Sequence, residues 1–329
     1  MRILVTGADG FIGRHVVRAA LARGHRVRAV VRQARSPEKL DPESKADRVV
    51  QDLREPGSLA RHLVGTDAVV HCAAALDGPE NVQRANTITG TENLLRAMQA
   101  ADVGSIVAVS TFALYDYLHI AEGTPLDEDG PLDDSFIDRA PYVRVKREQE
   151  ALVRAAARER GWQCTTVRPG VVYGPGRTWF HQLGIQLGRR LWVSLAGRST
   201  FPLIYVENCA DALVLAAEAP PRDDLVLNLV DDLLPERRLY LRELARRSAV
   251  RPLLTDVPWG LLRSAAAYTS ALNRTVLGGR ALLPDLLRPA SLHARCKPLG
   301  YSNARAKEML GWRPARSWPD TLDPSLGRD

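Results

Sequence analysis

The chain has 329 residues, 45% hydrophobic and 25% charged, with 24 Gly and 21 Pro. That balance is that of a folded protein with a sizeable core, and it excludes a fibre or a disordered tail. The net charge of +7 is spread over doublets such as Arg189-Arg190, Arg237-Arg238 and Arg246-Arg247, without the clustered stripe and interleaved aromatics of a nucleic-acid surface.

No apolar run reaches the roughly 18 residues of a membrane span. The N-terminal apolar residues are interrupted by Thr6, Gly7, Asp9 and Gly10, which does not fit a signal peptide. Cys72, Cys164, Cys209 and Cys296 lie far apart. Their spacing excludes a disulfide scaffold or zinc ribbon and fits a reducing cytoplasm. The seven His are scattered, so no metal site is expected. Only five basic residues are Lys (Lys39, Lys45, Lys146, Lys297 and Lys307), which makes each of them worth a question.

In chain order, residues 2–6 read as a strand and 13–23 as a helix stopped by Gly24. Strands follow at 26–31, 48–51 and 68–72. Residues 86–101 read as a helix with Leu94, Leu95 and Met98 on one face. Residues 105–109 are a strand, 142–160 a long helix ending before Gly161, and 164–167 a strand. Strands separated by helices predict an α/β protein with a parallel, doubly wound Rossmann-type sheet covered on both faces.

After about residue 174 the pattern loosens. Residues 203–206 and 225–230 read as strands, and 210–219 and 239–248 as helices. Residues 252–289 are apolar and helical in parts. The expected organisation is a dinucleotide-binding domain over 1–173, to which 203–230 return. A smaller, mixed substrate-binding region is expected over 174–202 and 231–329.

The turn from Thr6 to Gly13 joins the first strand to the first helix. Gly7 allows a tight turn, Gly10 lets the backbone approach a pyrophosphate, and Gly13 lets helix and strand pack closely. The free N–H groups of the turn, which includes Phe11 and Ile12, then face the anion. An acidic residue about 20 positions on would hold the ribose hydroxyls of NAD. Here Arg32, Arg35 and Lys39 follow the second strand, and cations attract a 2′-phosphate. NADP is therefore the expected cofactor, with NAD as the alternative. Arg32 can alternatively stack on the adenine or face solvent. Asp52, next to Leu53 after the third strand, can accept from the adenine amino group or simply cap a turn.

Tyr142 and Lys146 stand four apart on a helix and share a face. A phenol titrates near 10. A cation at about 4 Å contributes roughly 4 kcal/mol at an effective dielectric near 20. That could bring the phenol toward 7, where it works as an acid or base. The alternative is an exposed helical pair. The fifth strand runs into Ser110-Thr111, at the sheet edge where ligands of open α/β folds bind. Thr111 is preferred over Ser110 as the active hydroxyl.

Together these residues resemble the extended short-chain dehydrogenase/reductase family, which includes the NAD(P)-dependent epimerases and dehydratases. The likeness extends to His71-Cys72-Ala73-Ala74, to 86–95 (NTITGTENLL), 168–176 (RPGVVYGPG), 203–212 (LIYVENCADA) and 302–314 (SNARAKEMLGWRP). The resemblance implies Tyr142 as proton donor or acceptor. It implies Lys146 on the nicotinamide ribose and Thr111 on the substrate oxygen. Ala73, Ala74, Asn86, Ser110, Pro169, Val171 and Val172 join the cofactor site by the same likeness.

Departures narrow the reaction. Phe112-Ala113 follows Thr111 where sugar-nucleotide dehydratases carry an acidic pair. Val171 stands where nucleotide-sugar enzymes usually have Asn. Residues 32–39 look like the NADP stretch of dihydroflavonol reductases, and LIYVENCADA looks like the 3β-hydroxysteroid dehydrogenase branch. The expected activity is hydride transfer between NADP(H) and a secondary alcohol or ketone of an apolar or secondary-metabolite substrate. A nucleotide-sugar epimerase or reductase in polysaccharide assembly is the alternative, and a non-catalytic NADP-binding regulator the third reading. Trp259, Leu261, Leu262 and Tyr268 suit an apolar pocket or an ordinary core. The stretch 259–272 is alternatively a surface that touches a membrane. The family likeness implies a homodimer through the helices at 86–101 and 142–160.

Overall fold

The computed structural model describes residues 1–33, 45–136, 139–220, 222–278, 280–281 and 283–326. Its strands run, in chain order, β1 (Arg2–Thr6), β2 (Arg26–Val31), β3 (Asp47–Val50), β4 (Ala68–His71), β5 (Ser105–Val109), β6 (Pro125–Leu126) and β7 (Gln163–Pro169). They continue with β8 (Val171–Tyr173), β9 (Gly184–Leu187), β10 (Leu191–Leu195), β11 (Leu203–Tyr205), β12 (Leu225–Leu229), β13 (Leu253–Val257) and β14 (Gly300–Tyr301). The helices are α1 (Phe11–Ala22), α2 (Leu59–Leu63), α3 (Glu80–Arg84), α4 (Gly90–Ala100), α5 (Pro141–Arg160) and α6 (Val206–Glu218). After them come α7 (Arg237–Arg247), α8 (Trp259–Val276), α9 (Pro289–Cys296), α10 (Ala304–Leu310) and α11 (Leu322–Ser325).

Seven strands pair in parallel in the order β12-β7-β5-β4-β1-β2-β3. Successive side chains of a strand point to opposite faces. Ile3 and Val5 therefore join one core with α1 and α6, while Leu4 joins the other with α4 and α5. With both faces covered, β4 (Ala-Val-Val-His) is buried at all four positions. The α5 helix opens with Pro141 in its first turn and closes at Gly161 in the left-handed conformation. Its last turn carries Arg158 and Arg160, which complement the dipole there.

Among the differences from the chain-order reading, the helix expected over 210–219 already begins at Val206. The helix expected to begin at residue 86 is already formed from Glu80, after Pro79, and passes through a π-helical turn at Ala85–Thr89 before α4. A further difference is a three-stranded sheet, β13-β10-β9, in the second half. Residues 253–257 were expected within a helical stretch. They instead pair with β10, Leu191 opposite Leu253, while most of the strand's side chains remain exposed. No side of β13 is buried enough to print an alternating pattern on the sequence.

The C-terminal segment returns to the central sheet. Ala306 and Trp312 are buried in the same core as β1 and α6. Asn208 on α6 fastens this segment: its side chain bonds Ala315, Arg316 and the Asp231 carboxylate, and its carbonyl accepts from the Trp312 indole at 3.1 Å.

Candidate active site

In the strand order, β1 lies between β4 and β2, so the connections leave the sheet in opposite directions there. A crevice opens outside the C-terminal ends of β1 and β4, the ligand position of open α/β sheets. The glycine turn fills one wall. Gly7 has φ +61°, and a Cβ there would lie 3.0 Å from the Ala73 backbone. Gly10 N–H donates to the Gly7 carbonyl at 2.9 Å. A Cβ on Gly13 would sit 2.1 Å from that same carbonyl oxygen. The turn and the first helical turn are thus packed backbone on backbone, and the start of α1 carries no acidic residue. This cradle fits a dinucleotide pyrophosphate. Gly13→Ala is predicted to force it apart: overpacking of this kind costs about 1–3 kcal/mol. Dinucleotide affinity should fall roughly tenfold or more, read by fluorescence titration beside a thermal melt.

Arg32, just beyond β2, donates to the Asn86 side-chain oxygen at 3.1 Å. It shares a cleft of about 510 Å³ with Gln33, Val50, Gln51, Asp52, Arg54 and Glu55. The Asp52 carboxylate is taken by Arg54, which bonds it through its backbone N–H at 2.9 Å and its guanidinium at 2.6 Å. That contact holds the carboxyl below its usual range. The backbone carbonyl of Leu53 accepts from Asn93 at 2.8 Å. Arg35 and Lys39 lie outside the described residues.

On the other side of the crevice, Thr111 follows β5 in extended backbone and caps a short 3-10 turn over Phe112–Leu114. Its hydroxyl accepts from the Ala113 N–H at 3.2 Å and acts on the neighbouring phenol of Tyr142, near the start of α5. Ser110 is turned away: its hydroxyl donates to buried Glu150 at 2.5 Å. Pro169 ends β7, and Val171 and Val172 form β8, which is paired with β11.

The Tyr–Lys coupling differs from the expectation. Burial pushes the Tyr142 phenol above its ordinary value instead of toward 7. The Thr111 hydroxyl and the charge of Arg177 act against that rise. The Lys146 ammonium is engaged elsewhere. It donates to the Val109 carbonyl at 2.6 Å and to the Gln149 side-chain oxygen at 2.5 Å. Burial lowers Lys146 to about 8, against the pull of Glu150, so it remains a cation at neutral pH.

Gln149 continues the chain of contacts by donating to Thr91 Oγ1 at 2.9 Å and to the Ala73 carbonyl at 3.2 Å. His71, buried beside it, lies 2.7 Å from Thr6 Oγ1 and 2.9 Å from Thr91 Oγ1. Burial, helped by the Lys146 charge, brings His71 down to about 3. The network therefore ties the lysine to the glycine strand without adding a second charge.

Sequence reading missed three of these residues. Arg177, which lies 5.3 Å over the Phe11 ring, directly follows the YGPG run. Arg54 stands two residues from Asp52. Gln149 was within reach of helical spacing, since 142, 146 and 149 fall on one face. Two residues expected in an apolar pocket or core go elsewhere. Leu261 and Tyr268 are exposed, because the inner side of α8 is taken by Leu262 and Ala266.

His15, on the buried side of α1, titrates at about 4 because burial and then Arg18 and Arg14 oppose its charge. A histidine depressed on folding leaves the unfolded chain to take the proton first. Its contribution is whole above about 6.5 and is lost as pH falls toward 4. The wild-type chain is predicted to lose about 2 kcal/mol more than His15→Gln between pH 7 and pH 5, measured by urea unfolding. The comparison is needed because burial raises Asp231 to about 7, which stabilises the fold in the opposite direction over the same range.

The chain belongs to the NAD dependent epimerase/dehydratase family, whose model matches residues 3–229. It is 29% identical over 324 residues to a 4-hydroxy-2-methyl-3-oxo-4-farnesyl-3,4-dihydroquinoline-1-oxide ketoreductase of Stigmatella aurantiaca, covering 95% of this chain and 92% of that one. It is 33% identical to a 3-diazoavenalumate denitrifying reductase of a Streptomyces species, covering 98% and 99%. Its fold is similar to that of a UDP-glucose 4-epimerase of Thermotoga maritima solved with UDP-glucose. The TM-score is 0.73 at 22% identity, over 99% of this chain and 98% of that one. Among the described residues, no helix is long and apolar enough to cross a membrane.

Proposed function

We propose that the protein is an NADP(H)-dependent oxidoreductase acting on the secondary alcohol or ketone of an apolar, secondary-metabolite type of substrate. The observation that carries this reading is that Thr111 and Tyr142 stand side by side, at the C-terminal sheet edge across from the glycine cradle. Bound NADP(H) supplies or accepts the hydride. The chain's own residues bind, orient and handle the proton. Gly7, Gly10, Phe11, Ile12 and Gly13 take the pyrophosphate on backbone N–H groups and the start of α1.

Arg32 takes the 2′-phosphate, and Arg54 offsets the neighbouring Asp52 charge that would otherwise repel it. Asp52 and Leu53 bound the adenine. Ala73, Ala74, Asn86, Pro169, Val171 and Val172 line the rest of the cofactor path, with the backbone of Ser110 beside them. Lys146 holds the nicotinamide ribose. Thr111 donates to the substrate oxygen, and Tyr142 exchanges the proton there. The named activities of the two relatives, both reductions, support the direction of this reading, and the absence of an acid after Thr111 speaks against dehydration. A homodimer through α4 and α5, in the cytoplasm, completes it.

Titration of the purified chain with NADPH and NADH tests the reading. A charge-assisted bond to the 2′-phosphate is worth about 1.5–3 kcal/mol, so NADPH should bind roughly ten- to a hundredfold tighter. Equal affinities, with NAD(H) copurifying, would overturn the role of Arg32 and favour a redox-neutral epimerase that retains its cofactor.

A further inference from the structure

We propose that Gln149 is a positioning residue for Lys146: it fixes the buried ammonium so that a single N–H is left for the nicotinamide ribose. The inference rests on the cofactor role given to Lys146 above and does not depend on the substrate. An ammonium carries three donors and no acceptor. One donor of Lys146 goes to the Val109 carbonyl at 2.6 Å and a second to Gln149 Oε1 at 2.5 Å. Among the described residues no carboxylate pairs with it, and Glu150, one turn further along α5, is taken by Arg168 and Ser110. Lys146 is 3% exposed, so bulk water hardly reaches the third donor. A ligand hydroxyl in the crevice completes the set.

The other end of the amide is fixed as firmly. Because the lysine can only donate, Gln149 must turn its oxygen to it, and the amide N–H groups then point the opposite way. There they meet Thr91 Oγ1 at 2.9 Å and the Ala73 carbonyl at 3.2 Å. Both act as acceptors, since Thr91 gives its own proton to the Thr87 carbonyl at 2.5 Å. His71 Nε2 lies 3.1 Å from the same amide nitrogen. A flipped amide would set N–H groups against the ammonium and its oxygen against a carbonyl. Gln149 is itself 3% exposed, so water would repair neither fault, and unpaired polar groups in such a setting are costly. Ala73 also borders the glycine cradle, its N–H donating to Thr6 Oγ1 at 3.4 Å. The amide thus holds the ammonium in register with the strand end that carries the pyrophosphate turn.

The test is fluorescence titration of the full chain with NADPH and with NADH, over a cycle of variants. Gln149→Leu should weaken both dinucleotides about ten- to a hundredfold, the worth of a bond to a charged group, and leave their ratio unchanged. Gln149→Glu keeps an oxygen toward the ammonium and should cost about fivefold or less, the worth of one neutral bond. Lys146→Met should weaken both dinucleotides as well. Adding Gln149→Leu to it should cost little more, because the glutamine then has no ammonium to aim. Thermal melts accompany each titration. If the leucine variant does not fold, Gln149→Met, of similar length and without an oxygen, takes its place. Unchanged affinity in Gln149→Leu, a glutamate variant as weak as the leucine one, or fully additive losses in the double variant would each overturn the role of Gln149. Unchanged affinity in Lys146→Met would instead overturn the ribose assignment of Lys146, and this inference with it.

Discussion

Tyr142→Phe is expected to lower kcat by about 10²–10⁴-fold, the usual contribution of a positioned general acid or base. NADPH affinity should change by no more than about fivefold, since a single neutral hydrogen bond is worth about 1 kcal/mol. The two readouts separate because the groups sit on different walls of the crevice. The cradle is built from the backbone of Gly7, Gly10 and Gly13, whereas the phenol comes from α5 and meets Thr111. Removing one hydroxyl changes no charge at neutral pH, because burial holds the phenol protonated.

Thr111→Val should have the smaller effect, about fivefold, the cost of one neutral hydrogen bond of about 1 kcal/mol. It removes a partner and leaves the proton donor in place. Stopped-flow single turnovers with saturating NADPH distinguish these effects from slow product release. Turnover by the Phe variant at the wild-type rate would mean that the proton comes from another group. Retained biological function with no turnover in either protein would favour the non-catalytic NADP-binding reading.

The degree to which this site can be read from sequence follows from how local each part is. The strands Arg2–Thr6, Arg26–Val31 and Ser105–Val109 match the sequence expectation residue for residue, because a parallel sheet covered on both faces makes its strands rich in buried β-branched and apolar residues. The glycine turn is legible for a related reason. Its demands are on the backbone within eight residues, and only glycine meets them. Position and spacing single out Thr111, Tyr142 and Lys146 as candidates.

Their partners were not, because tertiary packing chooses them. Helical spacing puts Lys146 on the side of Tyr142, but it does not reveal that the Val109 carbonyl and Gln149 hold the ammonium. Nor does it reveal that the charge acting on the phenol is that of Arg177. The expectation of a lysine-lowered phenol assumed that shared face implies electrostatic contact. The ammonium instead places donors on the Val109 carbonyl and Gln149.

The same packing logic carries the largest stability prediction, at the pair Glu150–Arg168. Glu150 comes from α5, two turns beyond Tyr142, and Arg168 from β7. Their side chains are 0% and 2% exposed. Arg168 bonds both carboxylate oxygens, at 3.1 and 2.5 Å, and reaches the Tyr115 hydroxyl at 3.2 Å. Ser110 donates to the same carboxylate. Burial alone would push Glu150 up, but the bonds and charge of Arg168 more than undo this and leave it below the usual carboxylate range.

Glu150→Ala strands the guanidinium in the interior without a counter-charge. Removing one partner of such a pair costs about 3–5 kcal/mol, a large share of the stability of an ordinary domain. The double variant Glu150→Leu with Arg168→Met removes both charges and should recover most of that loss, because an apolar pair of similar volume avoids the desolvation of two ions. Urea unfolding of the three proteins measures the difference. If the double variant is as unstable as Glu150→Ala, the bonds to Ser110 and Tyr115, and not the charge pair, hold this corner. In that case Ser110→Ala should lose as much as Glu150→Ala. The site would feel either outcome: Ser110 immediately precedes Thr111, so the backbone that aims the Thr111 hydroxyl at Tyr142 is anchored through this carboxylate.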